Sequence, residues 1–312
     1  MPPVVLLAGG YTGPQPTYQQ SPNWAIHVQL ALEARLRTAG FIARPVPFAA
    51  VSSHFDRPPA EQPVAVVMMC GDGIDPSLSR LLETLPHGPR VFYAANVDEP
   101  MCLGADTVAI DHAAGGQALV DWLVAKNRRT LQRVWFQVWS HSQTLPPWLA
   151  RRDEGMRAAA DRHGLTLPPV ILVPWLRTPP RSDQFVHYWQ LGVFALAGAL
   201  APTLFGPQPY DGLLMMHDTG AVQAWSSLAH LGDDVADRVL VTGHDDLWSE
   251  SPEYSFQPRP PSVTIGRDMR AVGEALADLI LARLGGTAPS GRQTRLITPQ
   301  LVVPPDYSGS PI

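Results

Sequence analysis

His244, Asp245, Asp246 and Trp248 follow closely on the apolar run Val239–Thr242 and Gly243. Adjacent carboxylates beside an imidazole and an indole can form a metal site, an acid/base pair, or a clamp for a polar ligand. A metal site needs further ligands at set spacing, and no H-x-x-x-H, H-E-x-x-H or D-x-D-x-D-G pattern occurs. Two carboxylates that hydrolyse a glycosidic bond must flank it, which neighbours at one strand end rarely do. The most economical arrangement is one carboxylate accepting ligand hydroxyls and the other bracing the loop. Other chemistries have little support. There is no G-x-S-x-G elbow, Ser140-His141-Ser142 is a local polar cluster, and Gly71-Asp72-Gly73 places an acid where a phosphate would approach.

The elements that must hold these residues read as alternating strands and helices. Val4–Ala8 is a continuous apolar run ending in Gly9-Gly10, the pattern of a strand buried on both faces. Asn23–Ala39 is helical and closed by Gly40. Further strands are expected at Phe41–Pro47, Val64–Met69, Arg90–Ala94, Thr107–Ile110, Val134–Val138, Val170–Val173, Gly212–Met216 and Val239–Thr242. Helices are expected at Pro76–Leu85, after Asp111, at Trp148–His163, Asp183–Leu200, Thr219–Leu231 and Met269–Leu284. This grammar is α/β and predicts two doubly wound parallel-sheet lobes. Ligands in such sheets sit beyond the carboxyl ends of strands. The residues to read are therefore those in Gly9–Thr12, Cys70–Asp72, Ala94–Asn96, Trp139–His141, His217-Asp218 and His244–Asp246. Asp111 and Asp218 are placed to cap the helices that follow them, which leaves His217 to face the ligand.

Composition bounds the function. A chain of 312 residues with 45% hydrophobic residues can fill two cores, and a net charge of −5 with a pI near 6.0 offers no basic face for nucleic acid. Cys70 and Cys102 are too few for a disulfide framework and fit a reducing cytoplasm. The apolar start MPPVVLLAGG is too short for a signal or a membrane span. No cofactor, metal or membrane partner is expected.

The segments IDHAAGG (110–116), DEGMRAAADRHGLTL (153–167), YDGLLMMHDTGAVQAWSSLAHLG (210–232), VLVTGHDDL (239–247) and PPSVTIGRDMRAVGEALADLILARLGG (260–286) occur in this order. Together they resemble the effector-binding core of the lactose/galactose repressor family, itself similar to periplasmic sugar-binding proteins. The resemblance implies a periplasmic-binding-protein-like type I architecture with a ligand cleft between the lobes. It places residues 1–109 plus 266–291 in an N-terminal lobe and 110–265 plus 292–312 in a C-terminal lobe. In its R-x-x-G pattern the arginine bonds sugar hydroxyls, which here is Arg152, expected across the cleft from Asp245. In V-x-G-x-D-D the first aspartate holds the ligand, here Asp245, while Asp246 braces. The Asn-Asp pair becomes His217-Asp218, and Met269 stands where an aromatic often closes the cleft. An acid common after the fourth strand is replaced by Ala94 or Asn96.

With Tyr11, Trp139 and Trp248, which lie just past strands and could stack on a pyranose, these complete the candidate ligand contacts. Asp111, Asp218 and Asp246 are the structural set. The family's helix-turn-helix is not in this chain, so DNA would be reached only through a domain outside it. The expected function is the sugar-sensing domain of a cytoplasmic, homodimeric transcription regulator, not an enzyme, with dimer helices at Pro76–Leu85 and Met269–Leu284. The rivals are a stand-alone or transport-type sugar-binding protein and a sugar-modifying enzyme. Asp245→Ala and Arg152→Ala are each expected to abolish ligand-induced stabilisation while the apo protein stays folded.

Overall fold

A computed structural model describes residues 2–9, 23–69, 90–93, 105–137, 145–174, 185–257 and 259–305. The chain divides into two compact units. Unit one comprises Met1–Asp111, Pro146–Trp148 and Asp268–Thr298; unit two comprises His112–Leu145, Leu149–Arg267 and Pro299–Ile312.

Unit one is built on β1 (Val4–Ala8), β2 (Ile42–Val46), β3 (Ala65–Met69), β4 (Arg90–Tyr93), β5 (Asp106–Ile110) and β11 (Thr294–Ile297). They form one parallel sheet in the order β11-β5-β4-β3-β1-β2. Side chains alternate across it, so the continuous apolar runs serve two cores. Val5, Leu7 and Val67 pack on one face with α1 (Asn23–Thr38) and α7 (Met269–Leu284), whereas Leu6, Met68 and Phe92 pack on the other. The two helices approach so closely that a Cβ on Gly273 would lie 2.4 Å from the Val28 carbonyl oxygen. Asp106 ties β5 to the end of α7: its carboxylate takes Arg283 at 2.6 and 2.7 Å and the Gln293 N–H at 2.8 Å. Thr294–Ile297 was expected in the C-terminal lobe from residue 292 onward. Pairing of Thr294 with Thr107 through Ile297 with Ile110 instead keeps this segment in unit one, and the chain crosses only after Thr298.

Unit two holds a parallel sheet in the order β7-β6-β8-β9, from β6 (Leu131–Gln137), β7 (Ile171–Pro174), β8 (Gly212–Met215) and β9 (Leu240–Thr242). An antiparallel pair joins β10 (Thr264–Gly266) to β12 (Gln300–Val302). The helices that matter for chemistry are α2 (His112–Ala125), α3 (Pro147–Arg162) and α5 (Asp218–Leu231); α4 (Phe185–Leu204) and α6 (Asp233–Arg238) complete the described set. The order reverses between β6 and β8, so the carboxyl end of β8 lies at a switch point, where such sheets place their ligands. The expected helix Pro76–Leu85 falls outside the described residues.

Candidate functional site

Arg152 is the most deeply buried of the candidate contacts, at 2% exposure. Two glycines put it there. A Cβ at Gly155 would lie 2.0 Å from the Ala113 oxygen, and one at Gly116 would lie 2.2 Å from the Arg152 oxygen, so α2 and α3 cross with backbone against backbone. Gly155 is three residues beyond Arg152, close to one helical turn, which gives the R-x-x-G spacing its physical reason. Across this contact Arg152 Nε donates to His112 Nδ1 at 3.4 Å, Nη1 donates to the Met216 carbonyl, and Nη2 donates to Asp245 Oδ1 at 2.8 Å. Arg152 thus grips Asp245 directly within one unit, where the sequence had suggested opposite sides of a cleft. Helix α3 and the loop after β9 belong to the same sheet system.

Arg267 also forms an ion pair with Asp245, Nε lying 3.1 Å from Oδ1 without hydrogen-bond alignment. The Asp245 side chain stays 19% exposed, and its ion pairs among the described residues run to Oδ1. Burial pushes the Asp245 carboxyl up, but the Arg267 and Arg152 guanidiniums outweigh it and hold the group well below the carboxylate range. The result is an ionised acceptor whose ion pairs among the described residues run to one oxygen.

The backbone here is forced. Asp245 and Asp246 both take positive φ, 103° and 55°, a conformation costing about 1 to 3 kcal/mol per non-glycine residue. Asp218 helps to hold it. Its carboxylate accepts from the Leu247 N–H at 2.7 Å and from Thr264 Oγ1 at 2.6 Å, while the Asp245 N–H donates to the Ile265 oxygen at 2.8 Å. A Cβ at Gly243 would meet Asp218 Oδ1 at 2.1 Å, so only glycine fits before the His-Asp-Asp run. Burial, then the nearby Asp245 charge, raise the Asp218 carboxyl well above its usual range.

The expected helix cap is reassigned. His217, rather than Asp218, caps α5: its Nδ1 accepts from the Gly220 N–H at 2.9 Å, and its ring stacks on Phe136 at 5.6 Å. One ring nitrogen of the residue expected to face the ligand is therefore engaged by the helix. Burial lowers its pKa to about 4 against an ordinary 6.5. A histidine whose folded pKa is depressed loses stability as pH falls, because the unfolded chain takes up the proton first. Between pH 7 and 5 this one group should cost the wild type about 2 kcal/mol that His217→Asn, which keeps a capping oxygen, does not lose. Urea unfolding of both proteins at the two pH values measures the difference, and equal losses would reject the assignment.

His112 was not singled out from the sequence, and His244 was read there only as a neighbour of the carboxylates. Both are buried, and burial followed by Arg152 drives each imidazole well below its usual pKa. His244 is 1% exposed, and among the described residues neither ring nitrogen has a partner. Arg267 was missed as well; its signal was its position directly after T-I-G, at the end of unit two. Asp246 is exposed and accepts from the Trp248 side chain, whose ring meets Tyr254 edge-on at 4.8 Å. The Asp111 N–H bonds the Ile297 oxygen at 3.0 Å. Met269, expected to close over a ligand, is buried in the hydrophobic core of unit one. Tyr11, Asn96 and Trp139 lie outside the described residues. No group of three or more His, Cys, Asp or Glu placed to hold a metal ion occurs among the described residues.

The family model of the periplasmic binding protein-like domain matches residues 107–303, well over half of the chain. The chain belongs to this family. Solved structures agree in fold. The transcriptional regulator CelR in complex with cellobiose matches with TM-score 0.67 and 17% identity over 96% of this chain and 83% of its own. A regulatory protein of the LacI family from Chloroflexus aggregans matches with TM-score 0.67 and 15% identity over 96% of each chain. A LacI family transcriptional regulator from Enterococcus faecium with bound ribose matches with TM-score 0.63 and 14% identity, also over 96% of each. A sequence comparison with curated proteins finds no match. Among the described residues no helix of this periplasmic binding protein-like chain is long and apolar enough to cross a membrane.

Proposed function

We propose that this chain is the ligand-sensing domain of a transcription regulator and that it binds a sugar or sugar-like molecule at Asp245. One observation carries the reading: Asp245 is ionised and held by Arg152 and Arg267, and among the described residues these ion pairs run to Oδ1. Such a carboxylate accepts a hydrogen bond from a hydroxyl without reorganising, and preorganisation favours affinity. The fold it shares with sugar-bound regulators supports the same reading. The proposal extends to closure of the two lobes on the ligand, whose differential affinity for the closed form sets the shift, and to a cytoplasmic homodimer.

A thermal-shift series with ribose, cellobiose, glucose and galactose, run beside a turnover assay for each, tests it. One sugar at about 100 times its Kd should stabilise the wild type by about 2.7 kcal/mol. Asp245→Asn, which keeps shape and loses charge, should erase that gain. A shift retained in Asp245→Asn, or conversion of the sugar, defeats the proposal.

A further inference from the structure

Arg267 joins two features that are otherwise separate in the chain. Its Nε sits 3.1 Å from the Asp245 carboxylate, with only 11% of its side chain exposed. The backbone of the same segment is pinned beside that carboxylate. The Asp245 N–H donates to the Ile265 oxygen, Asp245 bridges Gly266, and Thr264, Ile265 and Gly266 pair with Val302, Leu301 and Gln300. Arg267 is the last residue of unit two, and Asp268 is the first of its next segment in unit one. Asp268 is the N-cap of α7. Its carboxylate accepts from the Ala271 N–H at 2.8 Å and its carbonyl accepts from the Val272 N–H at 3.0 Å. Helix α7 in turn carries Val272, Leu276, Leu279 and Ile280 into the unit one core.

We propose that Arg267 is a positioning residue: it orients the Asp245 carboxylate for ligand and carries the state of that carboxylate to the cap of α7. This rests on the reading of Asp245 as the ligand acceptor. The physical basis is short. A guanidinium ion-paired with the carboxylate helps to hold the backbone at 267, and the next residue supplies both acceptors of the first α7 turn. When the Asp245 charge is neutralised or drawn to a ligand, the Arg267–Asp245 ion pair weakens and the adjoining cap loosens. A helix end frays readily once its cap is lost, since its first N–H groups have no partner within the helix.

Amide hydrogen exchange on the intact chain, with no ligand added, tests this in the wild type, Asp245→Asn, Arg267→Gln and Arg267→Lys. Ala271 and Val272 should exchange about tenfold faster in Asp245→Asn and in Arg267→Gln, while amides of α2 and β6 keep wild-type rates. Arg267→Lys retains the charge and should restore Ala271 to within about threefold of wild type. In an Asp268→Ala background the cap is already gone, so Arg267→Gln should add nothing at Ala271. Unchanged exchange at Ala271 in either charge-removing variant overturns the proposal. Uniform acceleration across both units, or no rescue by lysine, marks a merely structural arginine and overturns it as well. The sugar series above reads a different property, so failure of the ligand assignment and failure of this coupling are told apart.

Discussion

Arg152→Ala lowers the unfolding free energy by about 3 to 5 kcal/mol, the range for removing one partner of a buried ion pair. Three groups lose their donor at once: the Met216 carbonyl, His112 Nδ1 and Asp245 Oδ1. Asp245 then faces Arg267 alone, in a setting whose burial already opposes its charge. The sequence suggested that this variant would lose only its ligand response. With the guanidinium 2% exposed and bonded to α2, to the end of β8 and to the loop after β9, the apo fold should suffer too. Denaturant unfolding measures the loss. Adding Asp245→Asn to Arg152→Ala should recover about 1 to 2 kcal/mol, because the uncompensated carboxylate is gone. A loss below about 1 kcal/mol in the single variant would show that the network adds little.

The second large effect is at Gly155. Any side chain there must enter the space of the Ala113 oxygen, 2.0 Å from the Cβ position, and a backbone atom cannot swing aside as a side chain can. Gly155→Val is expected to cost about 3 kcal/mol or more, at or beyond the usual range for overpacking. It should also part α3 from α2 and move Arg152 off His112. Gly198→Ala on α4 is the control, since nothing lies within 4 Å of its Cβ position. That change should be neutral or stabilise by up to about 1 kcal/mol. Similar melting temperatures for the two variants would refute the close-approach argument.

Much of the fold was legible because its signals are local. The run Val4–Ala8, the stop at Gly40 and the cap-and-apolar pattern near Thr219 each report on a few neighbouring residues, and β1, α1 and α5 follow them within a residue or two. The β11 strand was not legible: Thr294–Ile297 is mostly exposed and has no apolar run, and only its partner β5 makes it a strand. The helix α5 was found but its cap was misplaced. Aspartate is a good cap by preference, yet Asp218 is drawn away by the Leu247 N–H and Thr264, leaving the Gly220 N–H to His217.

The same division runs through the site. Sequence alone named Arg152 and Asp245, through the R-x-x-G and V-x-G-x-D-D patterns of the family it resembles, whose glycines stand where Gly155 meets the Ala113 backbone and Gly243 the Asp218 side chain. It also determined the α/β class, through apolar runs buried on both faces of the sheet. Tertiary structure alone decided that Arg152 and Asp245 touch, that Arg267 and His112 join them, that His217 serves the helix, and that Met269 serves the core. The reason is one of range. Propensity and periodicity act over a few residues, whereas Arg152 is brought to His112 and Asp245 by strand order and helix crossing from 40 and 93 residues away.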